Sequence, residues 1–226
     1  PTLSSNDADN TNCAGETVVF TAGGGTNYQF FVNGSSVQNG AGTTYTTSTL
    51  QNGQVVTVGV TNAAGCTVVS SGITMTVNPL PVPGLVSSDA DNTICQGTSV
   101  TFTATPSGAA NYEFFIDGIS VQSGAGTTYS SAALADNDIV TVEVTTAAGC
   151  SATSAGLTMN VDVAPNAALA GPDIIQCNNS TFTMSANSAV AGTTGTWSVV
   201  SGTATLTSPH SPPTTVTGVT AGSGHV

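Results

Sequence analysis

The chain repeats itself. T-V-V-F-T-A at 17–22 returns as S-V-T-F-T-A at 99–104, and more loosely as T-F-T-M-S-A at 181–186. Cys13, Cys95 and Cys177 precede these segments at a constant step of 82. Downstream, N-Y-Q-F-F-V-N-G at 27–34 matches N-Y-E-F-F-I-D-G at 111–118 with a step of 84. The two extra residues fall in the intervening loop, where G-G-G-T gives way to T-P-S-G-A-A. The match runs on through G-A-G-T-T-Y and A-A-G-C to M-T-V-N and M-N-V-D. A fixed long period means that each copy is one structural unit set beside the next. The chain therefore divides into copies at 1–81, 82–165 and 166–226, the third divergent.

Within each copy the apolar residues recur every second position. Val18, Phe20 and Ala22 alternate with Val19 and Thr21, and Val100, Phe102 and Ala104 with Thr101 and Thr103. Phe182, Met184 and Ala186 follow the same rule, as do Tyr28, Phe30 and Val32, then Val56, Val58 and Val60, then Ile73, Met75 and Val77. A period of two belongs to a strand with one buried face. Asn33-Gly34 and Asp117-Gly118 stand where a tight hairpin needs positive φ, and Asn52-Gly53 and Ala64-Gly65 punctuate the later strands. About seven short strands per copy, separated by turn signals, predict a β-sandwich of the immunoglobulin kind. The fold class expected is all-β: tandem immunoglobulin-like sandwiches joined end to end by short proline-containing linkers. Those linkers are N-P-L-P-V-P at 78–83 and V-A-P at 163–165; proline ends strand pairing and favours extended, stiff backbone. The third copy reaches 226 without the last two strands and second cysteine of the others, so a longer polypeptide is expected.

Charge removes several functions. With no Lys or Arg and a net charge of -12, the chain has nothing with which to neutralise phosphates, so nucleic acid is excluded as a partner. A polybasic contact with anionic lipid is excluded likewise, and no run approaches the roughly 18 to 20 apolar residues of a membrane helix. Hydrophobic residues at 39%, patterned as above, argue for packed cores rather than disorder. Catalysis has no evident footing. A nucleophilic Ser or Cys needs a base within hydrogen-bond reach, and the only histidines, His210 and His225, lie in the third copy. A glycosidase needs two carboxylates across a cleft, which neighbouring acids in one turn do not provide.

The pattern C-x-G-x-x-V-x-F-T-A, then N-Y-x-F-F-[VI]-[ND]-G, then V-T-x-x-x-A-x-G-C, closing on M-x-V, resembles the repeats of giant Bacteroidota cell-surface adhesins, among them the SprB-like gliding-motility adhesins. The third copy, with G-P-D-x-x-x-C and T-W-S-V-V-S-G-T-A-T, is similar to a second repeat type of the same proteins. The resemblance implies export by the type IX route and display outside the cell. It implies spacer repeats of a large adhesin, serving surface attachment or gliding motility, whose partners are neighbouring modules of the same polypeptide and a surface or glycan ligand bound elsewhere. An accessory stalk of a secreted enzyme and a subunit of an extracellular filament are the alternatives.

Cysteines carry the clearest chemistry. In an oxidising compartment, two per complete copy predict a disulfide framework. Their separations suggest Cys13 with Cys66 and Cys95 with Cys150, leaving Cys177 without a partner. If the intervening strands make five antiparallel passes, however, Cys13 and Cys66 sit at opposite poles, and the alternative is a staple from Cys13 to Cys150. Four passes, with 36–38 only a loop excursion, let the bond within the copy close. The repeated D-A-D-N, with Asp7, Asp9, Asp89 and Asp91, offers hard oxygens that suit weak extracellular calcium, against the plainer reading of an Asx turn. Glu143 reads as a solvated strand position, and Phe31 and Phe115 as packing on the side opposite the core set. Trp197 reads as a core residue opening a strand, and the glycosylation triplets at Asn33, Asn178 and Asn179 as products of composition.

Overall fold

A computed structural model describes residues 1–174 and 181–219. The chain forms two compact units, residues 1–93 with 98–160, and residues 94–97 with 161–226.

Copy 1 contains β1 (Thr2–Ser5), β2 (Thr11–Cys13), β3 (Val18–Gly23), β4 (Asn27–Val32), β5 (Ser35–Gly40), β6 (Thr44–Thr47), β7 (Val55–Thr61), β8 (Thr67–Val69), β9 (Ile73–Thr74) and β10 (Thr76–Asn78). Strands β1, β3 and β6 make one antiparallel sheet, with β3 central. The second sheet has the order β5-β4-β7-β8, with β9 also on β7. A short parallel pair, β2 with β10, sets Cys13 opposite Asn78. The alternating residues do what their period requires. Val18, Phe20 and Ala22 from one sheet meet Tyr28, Phe30, Val56, Val58 and Val60 from the other, together with Leu50, Met75 and Val77. Burying a Val, Phe or Met side chain is worth about 1.5–3 kcal/mol, so this layer supplies the drive to fold. Tyr45 from β6 fills the space between the sheets, its ring centre 6.2 Å from Phe20 and 5.7 Å from Phe30.

Copy 2 repeats the plan with β11 (Gly84–Ser87), β12 (Thr93–Cys95), β13 (Val100–Thr105), β14 (Asn111–Ile116), β15 (Ile119–Gly124), β16 (Thr128–Ser131), β17 (Ile139–Thr145), β18 (Ser151–Thr153), β19 (Leu157–Thr158) and β20 (Asn160–Asp162). Its sheets are β11-β13-β16 and β15-β14-β17-β18, with β19 on β17 and β12 paired to β20. Tyr129 sits 6.3 Å from Phe102 and 5.7 Å from Phe114. The longer loop between β13 and β14 is tied down by the Tyr112 hydroxyl, which donates to the carbonyl of Pro106 at 2.7 Å. In copy 1 the hydroxyl of Tyr28 donates to Gly25 at the same distance, 2.7 Å.

The hairpin prediction holds at both sites. Asn33 and Gly34 have φ of 48° and 78°, and Asp117 and Gly118 have 51° and 76°, two successive positive values that make a type I′ turn. Each turn is also tied to the start of the neighbouring sheet strand, β7 or β17, since Asn33 Oδ1 accepts from the N–H of Val55 at 2.9 Å and Asp117 Oδ1 from that of Ile139 at 3.0 Å.

Ten strands per complete copy replace the seven expected. Part of the excess is the three-residue pair at the edge of each sandwich. The rest arises because the run read as one alternating strand, Ile73 to Val77, is divided between β9, paired with β7, and β10, paired with β2, while β8 is a separate strand on β7. The third copy contributes β21 (Thr181–Ser185), β22 (Thr205–Leu206) and β23 (Pro213–Thr217), in the order β21-β23-β22. Val216 and Thr214 are buried, whereas Phe182 and Met184 are half-buried. Trp197 does not open a strand. Its backbone N–H donates to Pro209 at 2.8 Å, and its indole N–H to the carbonyls of Ser211 and Pro212 at 3.1 and 3.3 Å, so the residue is held by a loop rather than a ladder. Cys177, Asn178, Asn179 and His225 lie outside the described residues.

Candidate functional site: the bonded joint of copies 1 and 2

Cys13 is bonded to Cys150, with Cα atoms 5.6 Å apart, inside the usual range for a disulfide. Cys66 and Cys95 are free and exposed. The pairings of Cys13 with Cys66 and of Cys95 with Cys150 are therefore corrected, and strand count is the reason. Residues 35–40 form the full strand β5, paired with β4, so β3, β4, β5, β6 and β7 make five passes between the two cysteines of copy 1. Cys13 lies opposite Asn78, beyond the start of β7, where Asn52 Oδ1 accepts from Val77 and Gln54 bonds Met75. Cys66 closes the turn after the far end of β7. Seven residues of strand hold them roughly 20 Å apart, about three times the reach of a disulfide. For Cys95 the bar is simpler, because the Cys150 sulfur is taken.

Local chemistry presents each half of the bond. On copy 1, the N–H of Cys13 donates to Glu16 Oε2 at 2.7 Å, the N–H of Glu16 returns to the Cys13 carbonyl at 3.0 Å, and the N–H of Ala14 donates to Asn78 at 2.9 Å. Gly15, with φ of 86°, permits that reversal. On copy 2, Cys150 ends a tight turn: the N–H of Thr146 donates to its carbonyl at 2.9 Å, and its own N–H donates to Thr146 Oγ1 at 3.2 Å. Cys150 is buried at 1% exposure. Two recesses flank the joint. One, of about 350 Å³, is lined by Ala14, Gly15, Leu50, Asn52, Val77 and Pro79. The other, of about 150 Å³, is lined by Pro81, Pro106, Gly108, Val144, Thr146 and Ala147. Neither holds a titratable side chain, so neither offers an acid, a base or a nucleophile with its activator.

The D-A-D-N segments lie in turns. Asp9 Oδ1 accepts from the N–H of Thr11 at 3.1 Å, and in copy 2 Asp89 Oδ1 and Asp91 Oδ1 both accept from Thr93, at 3.0 and 3.1 Å. Asp7 is half-buried, and its Oδ2 is out of contact with solvent and with any donor. Burial, then the hydrogen bond and charge of Asp9, push the Asp7 carboxyl above its ordinary range. Among the described residues no three His, Cys, Asp or Glu side chains converge as a metal site requires.

The remaining candidates are structural. The Phe31 ring lies over Gly59, 3.4 Å from where a Cβ would stand, and Phe115 is half-buried at the matching place. Glu143 is half-buried on β17, directly across from Glu113 on β14; that pairing of like charges is not visible without strand register. His210 Nδ1 lies 3.2 Å from the Thr196 hydroxyl.

This geometry defines a tandem array of immunoglobulin-like β-sandwich modules with a covalent bond across a joint. Residues 81–165 match the family model described as "Ig-like domain CHU_C associated". Among solved structures the chain is similar to a marsupial T cell receptor, at 11% identity over 100% of this chain and 93% of that one, TM-score 0.48. It is similar also to the fibronectin(III)-like modules of Clostridium thermocellum CbhA, at 12% identity over 71% of this chain and 95% of that one, TM-score 0.38. No protein of curated function matches it in sequence. No helix among the described residues is long and apolar enough to cross a membrane.

Proposed function

We propose that these modules are structural spacers in a large secreted cell-surface adhesin that serves surface attachment or gliding motility. The observation that carries the reading is the bond from Cys13 to Cys150. Among the described residues the one covalent crosslink fixes the relation between two modules rather than the interior of either. Such a crosslink suits a part whose task is to hold its neighbours in a fixed relation, and a disulfide suits an oxidising exterior. The recesses without titratable groups, the absence of cations and the family match of copy 2 support the same reading. Adhesive contacts, with a surface or a glycan, then belong to other parts of the polypeptide. Deleting copies 1 and 2 together from the parent protein tests this. Shorter surface projections with export and ligand binding intact are expected. Lost ligand binding with normal export would place the binding site in these modules, and a catalytic domain in the parent would make them an enzyme's stalk.

A further inference from the structure

The two free cysteines are not scattered. Cys66 occupies in copy 1 the position that the bonded Cys150 occupies in copy 2. The N–H of Asn62 donates to the Cys66 carbonyl at 3.0 Å, as that of Thr146 does to Cys150 at 2.9 Å, and Gly65 N–H bonds Asn62 at 3.0 Å as Gly149 N–H bonds Thr146 at 3.0 Å. Asn62 Oδ1 accepts from the N–H of Cys66 where Thr146 Oγ1 accepts from that of Cys150. The turn glycines have φ of 83° and 84°. Cys95, in turn, occupies the position of Cys13. Gln96 N–H bonds the Asp162 carbonyl at 2.8 Å as Ala14 N–H bonds Asn78 at 2.9 Å, and Gly97 and Gly15 share a φ of 86°. Only their surroundings differ: Cys150 is buried where its partner module meets it, and Cys66 stands open.

We propose that Cys66 is an interlocking half-cystine that takes the Cys13-type cysteine of another module of this repeat, and that Cys95 is the complementary half. The bond from Cys13 to Cys150 is then one rung of a series in which each module's early cysteine joins the late cysteine of the module after it. The chemistry is thiol–disulfide exchange with a disulfide-bearing oxidoreductase or small-molecule disulfide as oxidant. The Cys66 thiolate attacks a donor sulfur and one donor thiol leaves. The partner thiolate then attacks the Cys66 sulfur, the second donor thiol leaves, and two protons and two electrons have passed from the protein thiols to the donor. The inference does not depend on the adhesin reading, since it rests on the repeat and the bond alone.

The partner module can precede Cys66 in the same polypeptide or arrive on a second chain, and two arms separate these. In the first, residues 1–81 are placed once more ahead of Pro1 of the full chain, which is oxidised in a disulfide-containing buffer and mapped without reduction. Trypsin finds no Lys or Arg here, so pepsin is used. A peptide joining the added copy's early cysteine to Cys66, with loss of alkylation at Cys66 and the bond from Cys13 to Cys150 retained, is the expected result. In the second arm the unextended chain is oxidised identically. A dimer linked from Cys66 to Cys95 assigns the partner to a second chain; a monomer, with the extended chain crosslinked, assigns it to the same polypeptide. In the extended chain, Cys66→Ser should leave the added cysteine alkylated and the bond from Cys13 to Cys150 unchanged. Full alkylation of Cys66 in both arms, while Cys13 and Cys150 stay bonded, overturns the proposal.

Discussion

Asn12 is a buried side chain whose amide is only half used. Its Nδ2 donates to the Cys13 carbonyl at 3.2 Å, while its Oδ1 is buried without a donor. At the matching position copy 2 places Ile94, which is 6% exposed. An unsatisfied buried acceptor costs about 1–3 kcal/mol, so Asn12→Ile should raise stability by on the order of 1 kcal/mol, read as a higher denaturant midpoint with unchanged m-value. Asp7 makes a related case with a pH signature. Its carboxyl is held above the ordinary value of 3.8 by burial first and Asp9 second, so the folded state takes up its proton more readily than the unfolded chain. The contribution of Asp7 to stability therefore rises as pH falls from neutral through the raised value, and is lost as pH rises again. Asp7→Asn should flatten that part of the stability profile, which denaturant melts over a pH series would show; an unchanged profile would mean that Asp9 relieves the strain by moving. The cysteines mark the limit of reading residues singly. Their number and spacing announced disulfides, but spacing leaves connectivity open, and the deciding fact was the number of strands between them.

At the scale of the element, residues 36–38 could be read as a strand or as a loop excursion, and the structure makes them part of a full strand. β5 (Ser35–Gly40) is an edge strand whose side chains mostly face solvent, and without a buried face it has no reason to alternate. β2 and β10, three residues each with only the middle one buried, are too short for a period of their own, and Val77 registers only as the end of the alternating run from Ile73. The strands that were legible, β3, β4 and β7, are those with one face in the core, and the type I′ hairpins were legible because only Asn, Asp and Gly tolerate their φ values. Register was the other hidden quantity. It brings Glu113 and Glu143 directly opposite each other across β14 and β17, where copy 1 pairs Gln29 with Gly59. Like charges so placed are destabilising by roughly 0.2–1 kcal/mol. Glu113→Gln, which copies the residue found in copy 1, should raise the melting temperature at low salt. The gain should shrink in high salt, where screening already weakens the repulsion. A gain independent of salt would assign the effect to propensity instead.

Across the whole molecule the crosslink from Cys13 to Cys150 closes a loop with a sequence separation of 137. In the chain-entropy model such a loop is worth about 5 kcal/mol. Replacing Cys13 and Cys150 together by Ser should lower unfolding free energy by about 2–5 kcal/mol, whereas Cys66→Ser, at an exposed thiol, should stay within about 0.5 kcal/mol. The same loop has a mechanical meaning. Pull on the chain from either side of it and tension crosses from Cys13 to Cys150 through sulfur, so the residues between them feel none of it. Everything between the two cysteines can then unravel without the tether lengthening, and slack on the order of 450–490 Å of extended chain stays locked away, whereas β1 and β18 to β20, outside the loop, still bear the load. In single-molecule stretching that length should be missing from the oxidised protein and appear in full once a reductant is added. The bond sets a ceiling on how far these modules can extend, and the redox state of the surroundings decides whether that ceiling holds.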